Sequence, residues 1–494
     1  MAEPVLIAGE WRDANASSTF QAVNPRTTQP IAGDYPVSTW ADLDAMLDAA
    51  TEAYRTMRLL PAETLAAYLD LYASKIEANI EKLATVADEE TALGKSPRFM
   101  NGEIPRTINQ LQQAAAAARD GSWSTPTIDT ATGLRSMMRP LGVVCVFGPN
   151  NFPFAYNGVA GGDFASAIAT GNPVIAKGHP SHPKTSQMLA ELAFEAVKET
   201  DSMPLAAVQF FQRSSREDGS KLMADPRNAA LGFTGSRPAG MALKKACDDN
   251  GKLAYLEMSS INPVVLLPGA LSEKLDDIVE QFLGSVLMGC GQFCTNPGLV
   301  LGLKGEGIES FITKVAEQFN AKTGGTLLNE AGQKSLSQGI EAIKSVGATG
   351  MTDGKAGDGF SIPNTLLKID GKSFLSDPEK VQTEAFGNSS LVVIADDLDQ
   401  LLAIVRTLEG NLTGCVYSAT DGSDDEAYNS IEPDLADRVG RLINDKMPTG
   451  VAVVSAQNHG GPYPATGHPG FTAVGFPATL KRFCKLTSYD TVSY

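Results

Sequence analysis

GVVCVFGPNNFPFAYNGVAGGDFASAIATGNPVIAK, residues 142–177, is where the chain changes character. Two short runs, VVCVF (143–147) and PVIAK (173–177), are apolar throughout instead of alternating. Strands of that kind are buried on both faces, as in a parallel sheet covered by helices. Between them lie a Gly/Pro/Asn turn and a small-residue stretch, GVAGGDFASAIATG, that reads as a helix. The alternation continues. PVIAK leads into the helix PKTSQMLAELAFEAVKE, VQFF (208–211) into another, and AALGF (229–233) through TGS into a further one. This is the signature of a doubly wound α/β domain.

Upstream, residues 40–120 read as helical, with a Thr39 cap before TWADLDAMLDAATEAYRTM and a longer repeat of the pattern in PAETLAAYLDLYASKIEANIEKLATVADEE. Downstream, a second alternating region starts at PVVLL (263–267), passes through the helix SEKLDDIVEQFLGSVLM and LVLGL, and extends to SLVVIADD and GVAVVSA. MTDGKAGDGF (351–360) reads as a surface loop. LKRFCKLTSYDTVSY (480–494) alternates as a terminal strand does, one able to pair with another subunit.

A chain of 494 residues exceeds one compact core and divides into two or more domains. The hydrophobic content of 43% and charged content of 20% are those of a soluble globular protein. A net charge of -17 argues against nucleic-acid or anionic-membrane partners, which demand clustered Lys and Arg. The N-terminus has no basic region followed by an apolar run, and no uninterrupted apolar stretch reaches membrane-spanning length. Six cysteines are few for this length, so a reducing cytoplasm with free thiols is expected.

In an open parallel sheet, ligands bind beyond the carboxyl ends of the strands. Four polar, Gly/Pro-bent segments follow strands here: GPNNFP, GHPSHP, TGSRPAG and EMSSINP. TGSRPAG (234–240) opens a helix whose free N–H groups suit a phosphate, or are simply capped by Ser236. Lys177 ends a buried strand, where a ligand or a route to solvent must account for it. The Asn151 amide is placed to aim at a developing oxyanion, although Asn is also a common turn former. Glu257 is either a general base or a plain strand-end carboxylate. GCGQFCTNPG (289–298) carries Cys290 and Cys294 in a glycine nest. With four histidines in the chain and no second Cys pair at ligand spacing, no metal site is expected. Core residue or nucleophile remain the two readings of that pair.

FGPNNFP (147–153), Lys177, FTGSRPAG (233–240), Glu257 in LEMSSINPVV, GQFCTNPG (291–298) and TEAFG (383–387) together resemble the NAD(P)-dependent aldehyde dehydrogenase family, in its order and spacing. AGEWRD and FQAVNPRTTQPIA resemble the family's N-terminal hairpin. The resemblance implies a Rossmann-type cofactor domain (1–122 and 141–262), an α/β catalytic domain (263–460), and a small β oligomerisation element (123–140 and 470–494) that builds a homodimer or homotetramer. It implies Cys294 as nucleophile, with Cys290 a packing residue. The oxyanion would be held by Asn151 and the Cys294 backbone N–H. Glu257 would hydrolyse the thioester left after hydride passes to the nicotinamide. Lys177, Gly235, Ser236, Glu384 and Phe386 match cofactor contacts, and Phe152 and His459 are implied as substrate-side or auxiliary groups.

GHPSHPKTS (178–186), AGGDFASAIATGNPVIAK and HGGPYPATG (459–467) are similar to α-ketoglutaric semialdehyde dehydrogenases and to NADP-linked fatty-aldehyde dehydrogenases. NAD-preferring members carry a carboxylate three residues after the Lys; here Pro180 stands there, with Arg213 and Arg216 available to a 2′-phosphate. NADP is therefore expected, with NAD the alternative. An α-ketoglutaric semialdehyde substrate is the first expectation, and an aliphatic aldehyde or a catalytically weak cofactor-binding relative the alternatives. Three departures stand out: Ser259 where the family has Gly, Asn388 where it has Pro, and GHPGFTAVG lacking the subgroup's Arg.

Overall fold

The structure is a computed structural model describing residues 2–491. Five parallel strands form the heart of the first sheet, ordered Leu253–Glu257, Asn228–Thr234, Val143–Phe147, Val174–Lys177 and Val208–Phe211. The hairpin Val5–Ile7 and Glu10–Arg12 extends its edge antiparallel to Val208–Phe211. The strands Val143–Phe147 and Val208–Phe211 are buried at every position; the first is apolar throughout, and in the second the buried Gln209 accepts the Ala8 N–H at 2.8 Å. On one face the helices Ala62–Glu77 and Ile104–Asp120 bring Tyr68, Leu69, Tyr72 and Leu111 into a core with Val144 and Ala176. On the other, Trp40–Met57 contributes Leu43, Met46 and Leu47 against Cys145, Ile175 and Leu231.

The second sheet is ordered Thr349–Gly350, Thr365–Asp370, Ser389–Ala395, Leu299–Leu303, Pro263–Leu266, Asn411–Tyr417 and Val439–Asn444. All neighbours are parallel except the first pair. It too has a core on each face. The doubly wound α/β reading thus holds in both halves.

GVAVVSA (450–456) is not a strand. It is an irregular connection whose Val451 and Val453 pack on the first core, while Val454 is exposed. The Gln113 side chain donates to the Val453 carbonyl at 2.8 Å, taking the place of a ladder partner. Conversely, Asn411–Tyr417 and Val439–Asn444 are strands that apolar runs alone did not reveal.

A third, antiparallel sheet joins Thr127–Ile128, Arg135–Pro140 and Cys484–Tyr489. The expected terminal strand is therefore present at 484–489, whereas residues 492–494 lie outside the described residues. Buried Arg482 ties the base of this sheet to the first core through an ion pair with Asp163 at 2.5 Å. MTDGKAGDGF lacks regular structure, as its turn-forming composition dictates.

Candidate active site

Five segments meet where the two large sheets face each other. Glu257 is the last residue of its strand and is 1% exposed. The 462–468 segment crosses that strand end: Met258 N–H donates to Ala465 O at 2.8 Å, and Gly467 N–H to Leu256 O at 3.0 Å. Backbone bonds of His459 to Thr472 Oγ1 (3.0 Å) and from Ala473 (2.8 Å) then fix the imidazole. Its Nε2 lies 3.1 Å from Glu257 Oε1 and 3.4 Å from Cys294 Sγ. The second Glu257 oxygen, Oε2, is buried with no hydrogen-bond partner among the described residues.

Cys294 rides on a loop pinned from both sides. The Asn262 side chain donates to the carbonyls of Cys294 and Asn296, each at 2.9 Å. Gln292 Oε1 accepts the Leu328 N–H at 2.9 Å. The preceding residues Gly289, Cys290 and Gly291 are left-handed, and a Cβ on Gly291 would meet the Gly387 carbonyl oxygen, so only glycine fits there. Burial raises the Cys294 thiol well above its ordinary pKa and the Glu257 charge adds to this, with Arg106 pulling the other way. Cys290 faces the second core, buried and pushed up to about 12, with no acid–base partner.

The Asn151 amide donates one N–H to the Gln292 carbonyl at 3.0 Å, two residues before Cys294. An amide has two donors, which leaves the other for a ligand. Phe152 packs edge-on against Tyr156 and Phe293, at 5.2 and 5.3 Å between centroids. Two arginines that sequence patterns had not marked sit on this wall. Arg98 stacks on Phe152 and Phe293 and is neutralised by buried Glu103 at 3.0 Å. Arg106 donates to Tyr156 Oη at 3.1 Å and, among the described residues, pairs with no carboxylate. A half-buried Arg on an amphipathic helix looks like a solvated face in sequence, so no local signal separates it from one.

On the adjoining side, Glu384 Oε1 accepts the Ser260 N–H at 3.2 Å. Burial lifts Glu384 to about 7 despite that bond and one from the Ser259 hydroxyl. The side chain that replaces a glycine thus engages this carboxylate. Glu384 and Phe386 line a small cavity with Ser260, Phe293 and Asn296. Asn388 is fully buried and donates to Ile362 O (3.1 Å) and Asn364 Oδ1 (2.8 Å), serving acceptors that a proline would leave unmet.

At the carboxyl edge of the first sheet, Lys177 Nζ donates to Gly178 O at 3.0 Å and is held down to about 8 by burial, then by nearby Arg213. His179, stacked on His182, is pushed well below its usual range by burial and by His182, Lys177 and Arg213. Three basic side chains therefore share this pocket. Arg216 does not join them; it is exposed on the first turn of Arg216–Ala224, with Glu217 and Asp218 beside it. Ser236 occupies the N-cap of Arg237–Asp248 but makes no side-chain cap bond, leaving first-turn N–H groups available beside Gly235. A half-buried lysine with no carboxylate partner among the described residues, a helix N-terminus without a side-chain cap and the half-buried Glu384 carboxylate fit the adenosine, pyrophosphate and nicotinamide-ribose parts of a dinucleotide.

A cavity of about 860 Å³ lies between helices Pro268–Val286 and Glu306–Ala321 and reaches Cys290, not Cys294. Its exposed Lys314 and Asp276 pair with each other at 2.9 Å, and the thiol–imidazole–carboxylate cluster found among the described residues lies at Cys294 instead.

A profile of the aldehyde dehydrogenase family matches residues 11–461. Alpha-ketoglutaric semialdehyde dehydrogenase 2 of Azospirillum brasilense is 36% identical, over 98% of this chain and 94% of that protein. Alpha-ketoglutaric semialdehyde dehydrogenase of Acinetobacter baylyi is 32% identical, over 99% and 93%. Among solved structures, an NAD+ complex of aldehyde dehydrogenase from Bacillus cereus superposes with a TM-score of 0.83 at 19% identity, covering 99% of this chain and 96% of that one. PnpE in complex with nicotinamide adenine dinucleotide gives 0.84 at 19% identity, covering 100% and 99%.

Proposed function

The chain belongs to the aldehyde dehydrogenase family and oxidises aldehydes with a nicotinamide dinucleotide; from that premise we propose that Cys294, His459, Glu257 and Asn151 carry the reaction, with NADP preferred and α-ketoglutaric semialdehyde as substrate. The observation that carries the reading is the convergence of thiol, imidazole and carboxylate within hydrogen-bond range at the foot of an aromatic wall.

The resting thiol is protonated, because burial and Glu257 oppose its ionisation. Attack on the carbonyl carbon therefore needs a base; His459 Nε2 is in reach of Sγ, and Glu257 lies beside that same nitrogen, placed to accept the proton it takes. The free N–H of Asn151 and the Cys294 backbone N–H receive the oxyanion. When bound, the dinucleotide supplies the hydride acceptor, after which a thioester remains on Cys294. Glu257, relieved of its bond to His459 or using its free Oε2, draws a proton from water that attacks the thioester carbon, releasing the acid and restoring the thiol. The net change is aldehyde, water and oxidised dinucleotide to carboxylate, reduced dinucleotide and two protons.

The semialdehyde reading is supported by the two α-ketoglutaric semialdehyde dehydrogenase relatives and by Arg106. That guanidinium acts electrostatically on Cys294 and lacks an acidic partner, so a substrate with an aldehyde at one end and a carboxylate at the other complements the site. NADP preference is supported by Pro180 in the acidic position and by Arg213, which lies close enough to act on Lys177 and His179. We place Lys177, Gly235, Ser236, Glu384 and Phe386 on the cofactor, within a first unit made of 1–122 and 141–262, with 263–460 as the catalytic unit. Exposed Ile128 and Leu486 on the three-stranded sheet support self-association through 123–140 and 470–494. Six free cysteines accord with a reducing cytoplasm; among the described residues no helix is long and apolar enough to cross a membrane.

Initial rates over a panel of α-ketoglutaric semialdehyde, succinic semialdehyde and aliphatic aldehydes of matched length, each with NADP and NAD, test the proposal. A strong advantage in kcat/KM for the carboxylated aldehydes with NADP is expected. Preference for the uncharged aldehydes would reject the semialdehyde reading.

A further inference from the structure

Three lone-pair donors of different chemistry, Cys294 Sγ, His459 Nε2 and Glu257 Oε, lie within 4.8 Å of one another in a site that the proposed chemistry explains only as a proton relay. We propose that the same three groups form a reversible zinc site, through which a borderline-soft divalent cation closes the enzyme by capturing its thiol. The proposal goes beyond the catalytic assignment and does not depend on it.

The distances suit the ion. Zinc bonds of about 2.3 Å to sulfur, 2.05 Å to nitrogen and 2.1 Å to oxygen, at tetrahedral angles, set S···N near ~3.6 Å and N···O near ~3.4 Å. The resting separations are 3.4 and 3.1 Å, so seating the metal requires these two pairs to spread by only a few tenths of an ångström, while the sulfur and carboxylate oxygen already lie within 4.8 Å. A thiolate, an imidazole and a carboxylate are a zinc donor set, and they disfavour Mg²⁺ or Ca²⁺, which take oxygen ligands.

Charge balance suits it as well. Glu257 and His459 are each 1% exposed, and a lone dication there would be costly. One thiolate and one carboxylate neutralise Zn²⁺ completely. The Glu257 oxygen without a partner gives the carboxylate freedom to turn onto the metal without breaking another contact. Cys294 is partly exposed, which supplies the way in, and the aldehyde's place beside the thiol would hold water as fourth ligand.

The binding step is ligand exchange without electron transfer. The S–H bond of Cys294 breaks and an S–Zn bond forms, with one proton released to solvent. The His459 proton resides on Nδ1 so that the Nε2 lone pair meets the metal, and Glu257 replaces a second water. The donors are too dispersed for spacing to reveal: 165 residues separate Cys294 from His459 and 202 separate Glu257 from it.

The test is a Co²⁺ and Zn²⁺ titration of the full-length protein stripped with chelator. Co²⁺ reports thiolate ligation by its charge-transfer absorption, and Zn²⁺ affinity is read by competition with a chromophoric chelator. One equivalent with the charge-transfer band is expected, unaffected by excess Mg²⁺. Cys294→Ser should abolish the band. His459→Asn and Glu257→Gln should each weaken zinc by more than about 100-fold, the most that outer-shell changes alone typically cause. A second measurement needs no variant: zinc should block iodoacetamide alkylation of Cys294, mapped by peptide mass spectrometry, and chelator should restore it. Binding that survives Cys294→Ser, zinc affinity unchanged in His459→Asn, or unprotected Cys294 at saturating zinc would each overturn the site. Turnover does not enter these readouts, so they stand apart from the catalytic assignment.

Discussion

Replacing Arg213 by Ala separates the two dinucleotides. Arg213 is exposed two residues beyond the strand Val208–Phe211, near enough to both Lys177 and His179 to depress their proton affinity. A 2′-phosphate in that pocket meets a guanidinium in a charge-assisted hydrogen bond, worth about 1.5–3 kcal/mol. Solvent at this rim screens the pair, which favours the lower end. At ~1.4 kcal/mol per decade, about 1.5 kcal/mol is roughly a tenfold rise in KM for NADP. NAD has no phosphate there, so its KM should stay within about twofold. Lys177 and the helix beginning at Arg237 serve parts common to both cofactors, which keeps the change specific. The assay is initial-rate kinetics with each dinucleotide at fixed aldehyde and at two ionic strengths; wild-type KM for NADP should climb with salt and lose most of that slope in Arg213→Ala. Pro180→Glu should act in the same direction by like-charge repulsion. Equal effects of Arg213→Ala on NADP and NAD, or none on either, would refute the reasoning.

Other substitutions probe the remaining roles. Glu257→Gln should keep the pre-steady-state burst of reduced nicotinamide but slow steady turnover by at least about 10²-fold, the usual share of a general base; wild-type turnover would reassign the base. The same change removes a charge that holds the Cys294 proton on, so apo-enzyme alkylation at pH 7–8 should be faster than in wild type, whose raised thiol reacts more slowly. Asn151→Ala should lower kcat by roughly 10²–10³-fold with KM little changed, as loss of one oxyanion donor does. Arg106→Leu should raise KM for α-ketoglutaric semialdehyde by about 10-fold or more while sparing a neutral aldehyde of equal length, and parallel losses on both would remove Arg106 from substrate recognition.

Sequence reading reached the parts of the fold that local chemistry dictates. VVCVF and LVLGL are strands at the residues where their apolar runs begin and end, because burial on both faces favours apolar residues throughout. Asn411–Tyr417 escaped because its buried Asn411 and Thr413 are satisfied by hydrogen bonds to Ser260, Ile261 and Asn262, partners some 150 residues away. GVAVVSA misled for the converse reason: its valines serve as packing for another element's core. At the site, strand-end and loop residues such as Lys177, Glu257 and Cys294 announced themselves by standing where polar groups need a reason. What stayed hidden was convergence. The contact of His459 with Glu257, the Gln292 and Asn262 pins, and the unpaired state of Arg106 arise from three-dimensional closure that spacing cannot encode.

The measurement that tests the central claim most directly is stopped-flow absorbance at the reduced-nicotinamide band, comparing wild type with Cys294→Ala on mixing with dinucleotide and α-ketoglutaric semialdehyde. Wild type should show a burst followed by steady turnover, and folded, cofactor-binding Cys294→Ala should show neither. Reduction at the wild-type rate without the Cys294 thiol would contradict the account.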